Sequence, residues 1–402
     1  MKVLYQIVCM FILMLLFSCS EHNCADEMAD TVFFELQDTI SFPIDENTFY
    51  ASKAMFQFEE EGREFLFFQN RRDKGRLHLK IFDIENESVY KEIPLYKQGP
   101  DGIPAVLGGF PISLDKYIIT TNSPYFYMVN ELGNVLFKSP ALYDREILRS
   151  EKSIGEFCST FILSYYSNPG IIKDSIFYFP QKSIGYPHKE DTWKKSNIFS
   201  SLNLKTGELR KTEFCYPDIF DKEENLSKSS YESGHSYGFT GKDIAVSFRY
   251  SDSIYVSSDF KNVKGYCARS RYFPILNPEP YNVQVDLFDR LRKEANEPQY
   301  WHLIYDKYRN VFYRFALHPY EYPKDKTPMD EDCGREFSII VLNGKYERIG
   351  EIIFPGNTYN YHLCFVGKKG LYLSLNNQEN PIFSEDELFF QCLELKNKNE
   401  ME

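Results

Sequence analysis

The chain has 402 residues, a formal net charge of −12 at pH 7 and a hydrophobic fraction of 43%, so it is long enough to bury a large core. The acidic balance argues against the broad basic surface by which proteins bind nucleic acid, and it favours solubility outside the cytoplasm. Aromatic residues make up 17% of the chain, with 35 Phe and 30 Tyr but 2 Trp, and this composition favours half-buried β-sheets over helices.

The first predicted element is an export signal over residues 1–18. Lys2 is followed by an apolar stretch, residues 3–17, that is shorter than the roughly 20 residues needed to cross a bilayer. The sequence LFSC at 16–19 resembles the lipobox of bacterial lipoproteins, and this resemblance implies cleavage before Cys19 and attachment of lipid to that residue. Several acyl chains would anchor the protein more firmly than a single myristate does. An ordinary cleaved signal followed by an incidental cysteine is the alternative.

The predicted lipid anchor divides the chain into three parts and indicates where the protein is located. Residues 1–18 are the lipoprotein signal peptide, residues 19–30 are a lipidated tether, and residues 31–402 are the folded domain. We expect the protein in the cell envelope, held at the outer membrane by its amino-terminal lipid, on either the periplasmic or the outer side.

The cysteines that follow the anchor show no CxxC spacing, so they indicate neither a zinc site nor a thioredoxin-like site. Four of them lie in apolar strand-like runs, where a thiol behaves as a small hydrophobic group. We expect these four to be buried free thiols: Cys215, Cys267, Cys364 and Cys392.

Short alternating runs of apolar and polar residues, separated by turn residues, recur along the chain and predict strands. One kind of run repeats at intervals of about 50 to 70 residues, with a shorter apolar piece before it and a further strand after it. A turn with Gly or Asn follows, and in most repeats another strand. The repeated run opens at Phe65, Tyr117, Ile176, Ile244, Val311 and Leu371. This pattern predicts six units of four strands.

Four-stranded units repeated in this way are typical of a β-propeller, in which each sheet is one blade around a central channel. The last unit is one strand short, while "TVFFEL" and "TISFPI" near the amino end are spare strand candidates. We therefore predict an all-β, six-bladed β-propeller whose ring is closed by an amino-terminal strand, which removes an exposed edge. A pair of β-sandwiches and two separate domains are the alternatives.

One helical segment interrupts the strands at residues 283–296. Apolar residues recur there every four positions and form one stripe: Val283, Leu287, Leu291 and Ala295. Insertions at about 182–196 and 319–335 belong on loops, where binding usually resides.

Four stretches resemble a known family: "KQGPDGIPAVLGGF" (97–110), "IAVSFRYSDSIYV" (244–256), "ARSRYF" (268–273) and "YDKYRNVFYRF" (305–315). Behind a lipoprotein signal, they are similar to lipoproteins of Bacteroidetes that are classed as a domain of unknown function. Those proteins are in turn similar to six-bladed propellers of the TolB and NHL type. The resemblance covers nearly the whole mature chain. It implies a fold and a location, and it implies no chemistry.

Three of the seven histidines fall at the same place in consecutive predicted blades. His235, His302 and His362 each lie nine residues before the opening of a second strand. If the first strands line the channel, we expect these imidazoles to converge at one channel mouth. A cluster of this kind would hold a divalent metal ion or supply an acid and a base. Packing of each histidine against aromatic neighbours is the alternative.

A second row of polar residues lies five places into the predicted second strands. Amides and a guanidinium there suit sugar hydroxyls, carboxylates or peptide backbone as ligands. The residues are Asn70, Asn122, Gln181, Arg249 and Asn376. The alternative is that Asn and Gln merely serve strand-to-turn junctions.

The chain contains no P-loop, dinucleotide fingerprint, GxSxG or HExxH motif, and no carboxylate pair can be chosen as catalytic. The sequence therefore favours a protein without catalysis. It predicts a lipid-anchored envelope propeller that binds a small molecule, a glycan or a partner protein at its loop-rich face. A metal-dependent hydrolase or lyase that uses the three histidines is the second hypothesis. A structural subunit of a larger envelope assembly is the third.

Overall fold

A computed structural model of the chain describes residues 30–45, 48, 50, 55–70, 78–104, 106–121, 125–139, 170–180, 197–217, 235–276, 286–321 and 334–400. The predicted signal peptide, Cys19 and the 182–196 insertion lie outside these residues, as do most of the tether and of the 319–335 insertion.

The described strands form six sheets, and each sheet has four antiparallel strands. The first strand of the chain, β1 (Val32–Pro43), belongs to the last sheet. The next twelve strands build three sheets in chain order. Blade 1 holds β2 (Met55–Glu60), β3 (Arg63–Asn70), β4 (His78–Asp83) and β5 (Ser88–Ile93); blade 2 holds β6 (Val106–Ser113), β7 (Lys116–Thr121), β8 (Phe126–Asn130) and β9 (Val135–Lys138); blade 3 holds β10 (Ile171–Lys173), β11 (Ile176–Pro180), β12 (Phe199–Asn203) and β13 (Leu209–Lys211).

The second half of the chain repeats the same arrangement. Blade 4 holds β14 (His235–Phe239), β15 (Ile244–Phe248), β16 (Ser253–Ser257) and β17 (Lys264–Cys267); blade 5 holds β18 (Gln299–Asp306), β19 (Val311–Leu317), β20 (Phe337–Asn343) and β21 (Arg348–Phe354); blade 6 holds β22 (Asn360–Val366), β23 (Leu371–Ser374) and β24 (Glu387–Asn397). A helix, α1 (Leu287–Asn296), lies between blades 4 and 5, and a 3-10 helix (Lys398–Glu400) follows β24. The helix confirms the predicted helical insertion, of which residues 283–285 fall outside the described ranges.

The amino-terminal strand completes blade 6. Strand β1 pairs antiparallel with β24, so that Val32 lies opposite Asn397 and Pro43 opposite Glu387. The six-bladed ring and its closure are therefore confirmed. Each of the six predicted second-strand openings lies at or near the start of the second strand of its blade.

The antiparallel pairing gives every blade the same polarity. The first strands line the middle of the ring, and all of them run in one direction. We call the side where first strands begin, as at His235, Gln299 and Asn360, the start mouth. The opposite side carries the turns that join first to second and third to fourth strands, such as 61–62, 307–310, 344–347 and 367–370, and we call it the turn face.

Aromatic side chains fill the space between blades. Phe67 of blade 1 lies 6.3 Å from Tyr117 of blade 2, measured between ring centroids, and Phe126 of blade 2 lies 5.4 Å from Phe177 of blade 3. All four rings are buried. Because each blade offers two apolar faces to its neighbours, the aromatic-rich composition follows from the architecture.

The turn between the third and fourth strands is built alike in the first five blades. A carboxylate or amide oxygen accepts hydrogen bonds from two backbone N–H groups of the turn that follows it. The residues that supply this oxygen are Asp83, Asn130, Asn203, Asp259 and Asn343. These hydrogen bonds explain why an Asn or Asp recurs at the turn that follows the third strand in the first five blades.

The cysteines require one correction. Cys215, Cys364 and Cys392 are free thiols, as expected, but Cys267 is disulfide-bonded. Its partner is not among the described cysteines. The apolar pattern around Cys267 was misleading because β17 is the outermost strand of blade 4, so that its last residue is only partly buried.

Candidate functional site

The start mouth of blades 4, 5 and 6 holds the three histidines of the sequence prediction. His235 opens β14, whereas His302 and His362 lie inside β18 and β22. The pairing register of β18 shifts between Tyr300 and Leu303, on either side of His302. The register of β22 shifts between Asn360 and Cys364, on either side of His362. A shared sequence offset therefore does not give the three side chains a shared direction, because each bulge turns the residues within it.

His302 and His362 are neighbours. His302 is 1% exposed, and burial lowers its pKa well below the usual value. The nearby charge of His362 lowers that pKa further, whereas a hydrogen bond with the Tyr361 backbone raises it. The centroid of the Trp301 indole is 6.0 Å from that of His302 and 5.5 Å from that of His362.

His235 lies apart from this pair. Its ring centroid is 6.2 Å from those of Phe199 and Tyr216 and 6.0 Å from that of Phe248. For His235 the structure therefore shows packing against aromatic neighbours, which was the alternative to a metal or acid–base cluster. Among the residues that the structure describes, no three His, Cys, Asp or Glu side chains could together hold a metal ion. The expected three-histidine metal centre is therefore not formed there.

Arg249 completes a half-exposed group at the mouth. Its guanidinium lies 4.6 Å from the centroid of the Trp301 ring, at cation–π distance. The Arg249 carbonyl accepts a hydrogen bond of 2.8 Å from the Tyr300 backbone N–H, and Ser236 Oγ donates one of 2.7 Å to the Trp301 carbonyl. These two hydrogen bonds tie the backbone at Tyr300 and Trp301 to blade 4. We call Arg249, Trp301, His302 and His362 the Trp301 cluster.

A second guanidinium lies close to the cluster. Arg335 is 6% exposed and donates hydrogen bonds of 2.5 Å to the His318 carbonyl and 2.6 Å to the Glu297 carbonyl. Burial, with a contribution from the Arg249 charge, lowers the pKa of Arg335 to about 10. The side chain still carries its charge at neutral pH. Two arginines thus make this part of the mouth positive, although the chain as a whole is acidic.

The predicted row of polar residues separates into different roles. Asn122 and Gln181 lie outside the described residues, and only the backbone of Asn70 is described. Asn376 is 1% exposed; its side chain accepts a hydrogen bond from the Phe389 N–H at 2.7 Å and donates to the Glu387 carbonyl at 2.7 Å. It serves a strand-to-turn junction, whereas Arg249 belongs to the mouth.

Sequence reasoning missed Trp301 and Arg335. Trp301 is one of two tryptophans and stands next to a histidine that was singled out, so rarity and position together were a usable signal. Arg335 ends the 319–335 insertion and gave no local signal, because only folding brings it near Arg249.

A cavity of about 310 Å³ lies in the channel. Its walls come from the first strands of five blades, and they are mainly apolar side chains and backbone. The lining includes Phe56, Ile171, Tyr237, Ile304 and Phe365. No residue of the Trp301 cluster is among the described residues that line this cavity.

The family described as "Domain of unknown function (DUF4221)" matches residues 31–353. A crystal structure of a DUF4221 family member from Bacteroides vulgatus is 38% identical to this chain and has a TM-score of 0.83; the match covers 92% of this chain and all of that one. No curated protein sequence matches.

Two other structures are similar only weakly. BamB from Moraxella catarrhalis has 8% identity and a TM-score of 0.34, over 90% of this chain and 100% of that chain. A streptogramin B lyase has 10% identity and a TM-score of 0.38, over 90% and 98%. Neither likeness says what this chain binds. Within the described ranges, no helix is long and apolar enough to span a membrane.

Proposed function

This chain belongs to the DUF4221 family, a domain of unknown function, and we propose that it is a lipid-anchored envelope protein that binds a ligand at the start mouth. The proposed ligand carries a carboxylate, as in an acidic sugar on a glycan or a small organic acid. The observation that carries the proposal is the Trp301 cluster, a half-exposed cation, indole and imidazole at the entrance of a rigid channel.

The geometry of the cluster supports an anionic ligand. A guanidinium that lies over an indole has its plane set before binding, and its donors match the two oxygens of a carboxylate. Arg335 adds a second positive charge behind it. The indole together with the partly exposed His362 imidazole also suits the mixed apolar and hydroxylated surface of a sugar ring.

The rigidity of the support favours binding over a purely structural role. The carbonyls of Trp301 and Arg249 each accept a hydrogen bond from the neighbouring blade, so the backbone that carries both side chains is fixed and loses little conformational freedom when a ligand binds. The closed ring supplies the scaffold on which variable loops surround this site.

Two observations support a location outside the cytoplasm. The LFSC sequence resembles a lipobox, and Cys267 is disulfide-bonded. Disulfides persist in oxidising compartments and are rare in the cytosol.

The ligand proposal is tested by calorimetric titration of the 20–402 chain, which retains every described residue, with glucuronate and with glucose. We expect saturable binding of glucuronate and none of glucose. Arg249→Met should weaken glucuronate binding about tenfold or more, since a charge-assisted hydrogen bond contributes roughly 1.5–3 kcal/mol. Arg210→Met is the matched control, because the Arg210 side chain is 71% exposed on blade 3. Equal binding of both sugars, or no binding of either, would contradict an acidic ligand.

The anchor is tested separately by fractionation of cells that produce the full chain. Cys19→Ser should move the protein from the membrane fraction to the soluble fraction. Retention of the variant on membranes, unchanged by high salt, would contradict lipidation.

A further inference from the structure

We propose that the cavity in the channel is a second binding site, which takes an uncharged aromatic compound of about two fused rings. Among the residues that the structure describes, none of the Trp301 cluster lines this cavity. The inference therefore does not rest on the proposed binding of a carboxylate at the start mouth, and either site can exist without the other.

The size of the cavity suits such a compound. Its volume is about 310 Å³, at the lower end of the roughly 300–1,000 Å³ that ligand pockets usually have. An apolar cavity of about 150 Å³, made by mutation in another protein, stays dry and binds benzene. The channel cavity is about twice as large, so it has room for about two fused rings.

The lining does not favour a charged ligand. Of the described residues that form it, none is an Asp, Glu, Lys, Arg or His. The one side-chain amide among them, Gln57, is already engaged, because its Nε2 donates to Glu64 Oε1 at 3.0 Å and to the Tyr308 oxygen at 3.2 Å. A charged group placed here would lose its hydration without gaining an ion pair, which is costly.

Aromatic rings form much of the lining. They come from blades 1, 4, 5 and 6: Phe56, Tyr237, Phe239, Tyr305 and Phe365. Aromatic rings prefer offset or edge-to-face contacts with one another, and these contacts stabilise a complex beyond the burial of apolar area. Met55 adds a polarizable thioether, which also contacts aromatic rings favourably. The lining therefore favours an aromatic ligand over an aliphatic chain.

Several apolar side chains of the lining keep part of their surface uncovered. Ile172 is 37% exposed, although β10 is the first strand of blade 3 and lies at the channel. Phe239 of β14 and Ile304 of β18 are also partly exposed. A ligand in the channel would remove this apolar surface from water, which favours binding.

The walls of the cavity are formed before a ligand arrives. Each first strand that contributes to the lining is hydrogen-bonded to the second strand of its blade. Blades 4 and 5 already pack closely, because a Cβ at Gly238 would lie 2.9 Å from the Phe312 ring and 3.0 Å from Tyr305 Cβ. A closed ring packed in this way resists contraction into the empty space, so a ligand binds without a rearrangement of the walls.

The first test is calorimetric titration of the 20–402 chain with 2-naphthol, for which we expect saturable binding. The compound 2-naphthylmethylammonium has the same rings and a charge, and it should bind at least about tenfold more weakly. An excess of glucuronate should leave 2-naphthol binding unchanged, whatever the outcome of the glucuronate titration itself. Absence of 2-naphthol binding, equal binding of both compounds, or displacement by glucuronate would overturn the inference.

A matched pair of variants places the site in solution. Ile172→Trp fills part of the cavity and should weaken 2-naphthol binding about tenfold, because part of one ring no longer fits. Ile353→Trp is the control, since Ile353 is 41% exposed on β21, the outermost strand of blade 5, and it should bind as the parent does. Equal affinities of Ile172→Trp and Ile353→Trp would show that the compound binds elsewhere.

A crystal structure of the parent 20–402 chain with 6-bromo-2-naphthol locates the ligand without any substitution. The anomalous signal of the bromine should lie in the channel, among the rings of Phe56, Tyr237 and Phe365. A bromine site found only outside the channel, or none at all, would overturn the assignment even if Ile172→Trp does not fold.

Discussion

The start mouth and the turn face are two ends of the same six sheets, and they are built by different rules. At the turn face the first five blades reuse one device, a side-chain oxygen that accepts two backbone N–H groups. At the start mouth the blades diverge, with bulges in β18 and β22 and buried guanidiniums in place of a common motif. One end keeps the repeat regular, and the other end is available for a specific site.

Two arginines of blade 5 show the difference in a single sheet. Arg314, in β19, is fully buried; its Nε donates to Ser247 Oγ at 2.9 Å and its Nη1 to the Ala268 carbonyl at 2.7 Å. Its guanidinium also lies 3.4 Å from the Tyr300 ring centroid. Arg309, in the turn before β19, remains 18% exposed and pairs with Asp306 at 3.0 Å. The Arg314 side chain, nearer the start mouth, is thus completely buried, whereas the Arg309 side chain, in the turn, is partly exposed.

The largest expected effect comes from Arg314→Met. The change leaves buried carbonyls of blade 4 without a donor, so we expect a loss of about 3–5 kcal/mol in the free energy of unfolding. Arg309→Met should cost about 1–2 kcal/mol, because the buried Asp306 carboxylate keeps hydrogen bonds from two backbone N–H groups and from the Tyr313 hydroxyl. Urea denaturation measures both, and Arg210→Met is the exposed control. Equal losses for Arg314→Met and Arg309→Met would remove the proposed difference between the two ends.

The next effect concerns the network across the turn face. Tyr308→Phe removes a hydroxyl that links blade 5 to Glu59 and Gln57 of blade 1, and we expect a loss of about 1 kcal/mol in unfolding free energy. Tyr305→Phe is the matched control, since its hydroxyl donates to Asn310 within one exposed turn. The control should change stability by less than about 0.5 kcal/mol. If both variants behave alike, the link between blades does not contribute to stability.

A smaller effect is expected from pH at the start mouth. Burial lowers the pKa of His302 below 6.5, so the unfolded chain binds a proton there that the folded chain does not. Stability is therefore greatest above about pH 6.5 and falls as the pH decreases below it. His302→Gln should flatten this part of the profile, measured by urea denaturation between about pH 8 and pH 5.5. An unchanged slope in the variant would show that His302 is not the group responsible.

The smallest effect is expected from pH at the turn face. Backbone and side-chain hydrogen bonds from Asn262, with a further backbone bond from Lys261, lower the pKa of Asp259 to about 2 from 3.8. The stability that this carboxylate adds is present above pH 3.8 and is lost as the pH falls toward 2. Asp259→Asn keeps an acceptor oxygen without the titration, so its acid unfolding should depend less on pH. A profile identical to that of the parent would contradict this assignment.

The repeat made the fold predictable and left the site unpredictable. Openings at residues such as Phe65 and Leu371 marked second strands correctly because alternation of period two survives in every blade. The histidine alignment was less informative, because counting back along the chain assumes regular strands. The bulges around His302 and His362 break that assumption, and His235 packs among aromatic rings.

The sequence by itself determined the number of blades and the closure of the ring, since these follow from local alternation and from one missing strand. Only the tertiary structure decided which side chains meet. Arg249, Trp301, Arg335 and His362 come from four separate segments, and their contacts depend on how neighbouring sheets pack. Strand patterns are encoded over a few residues, whereas contacts between blades depend on positions that no local pattern records.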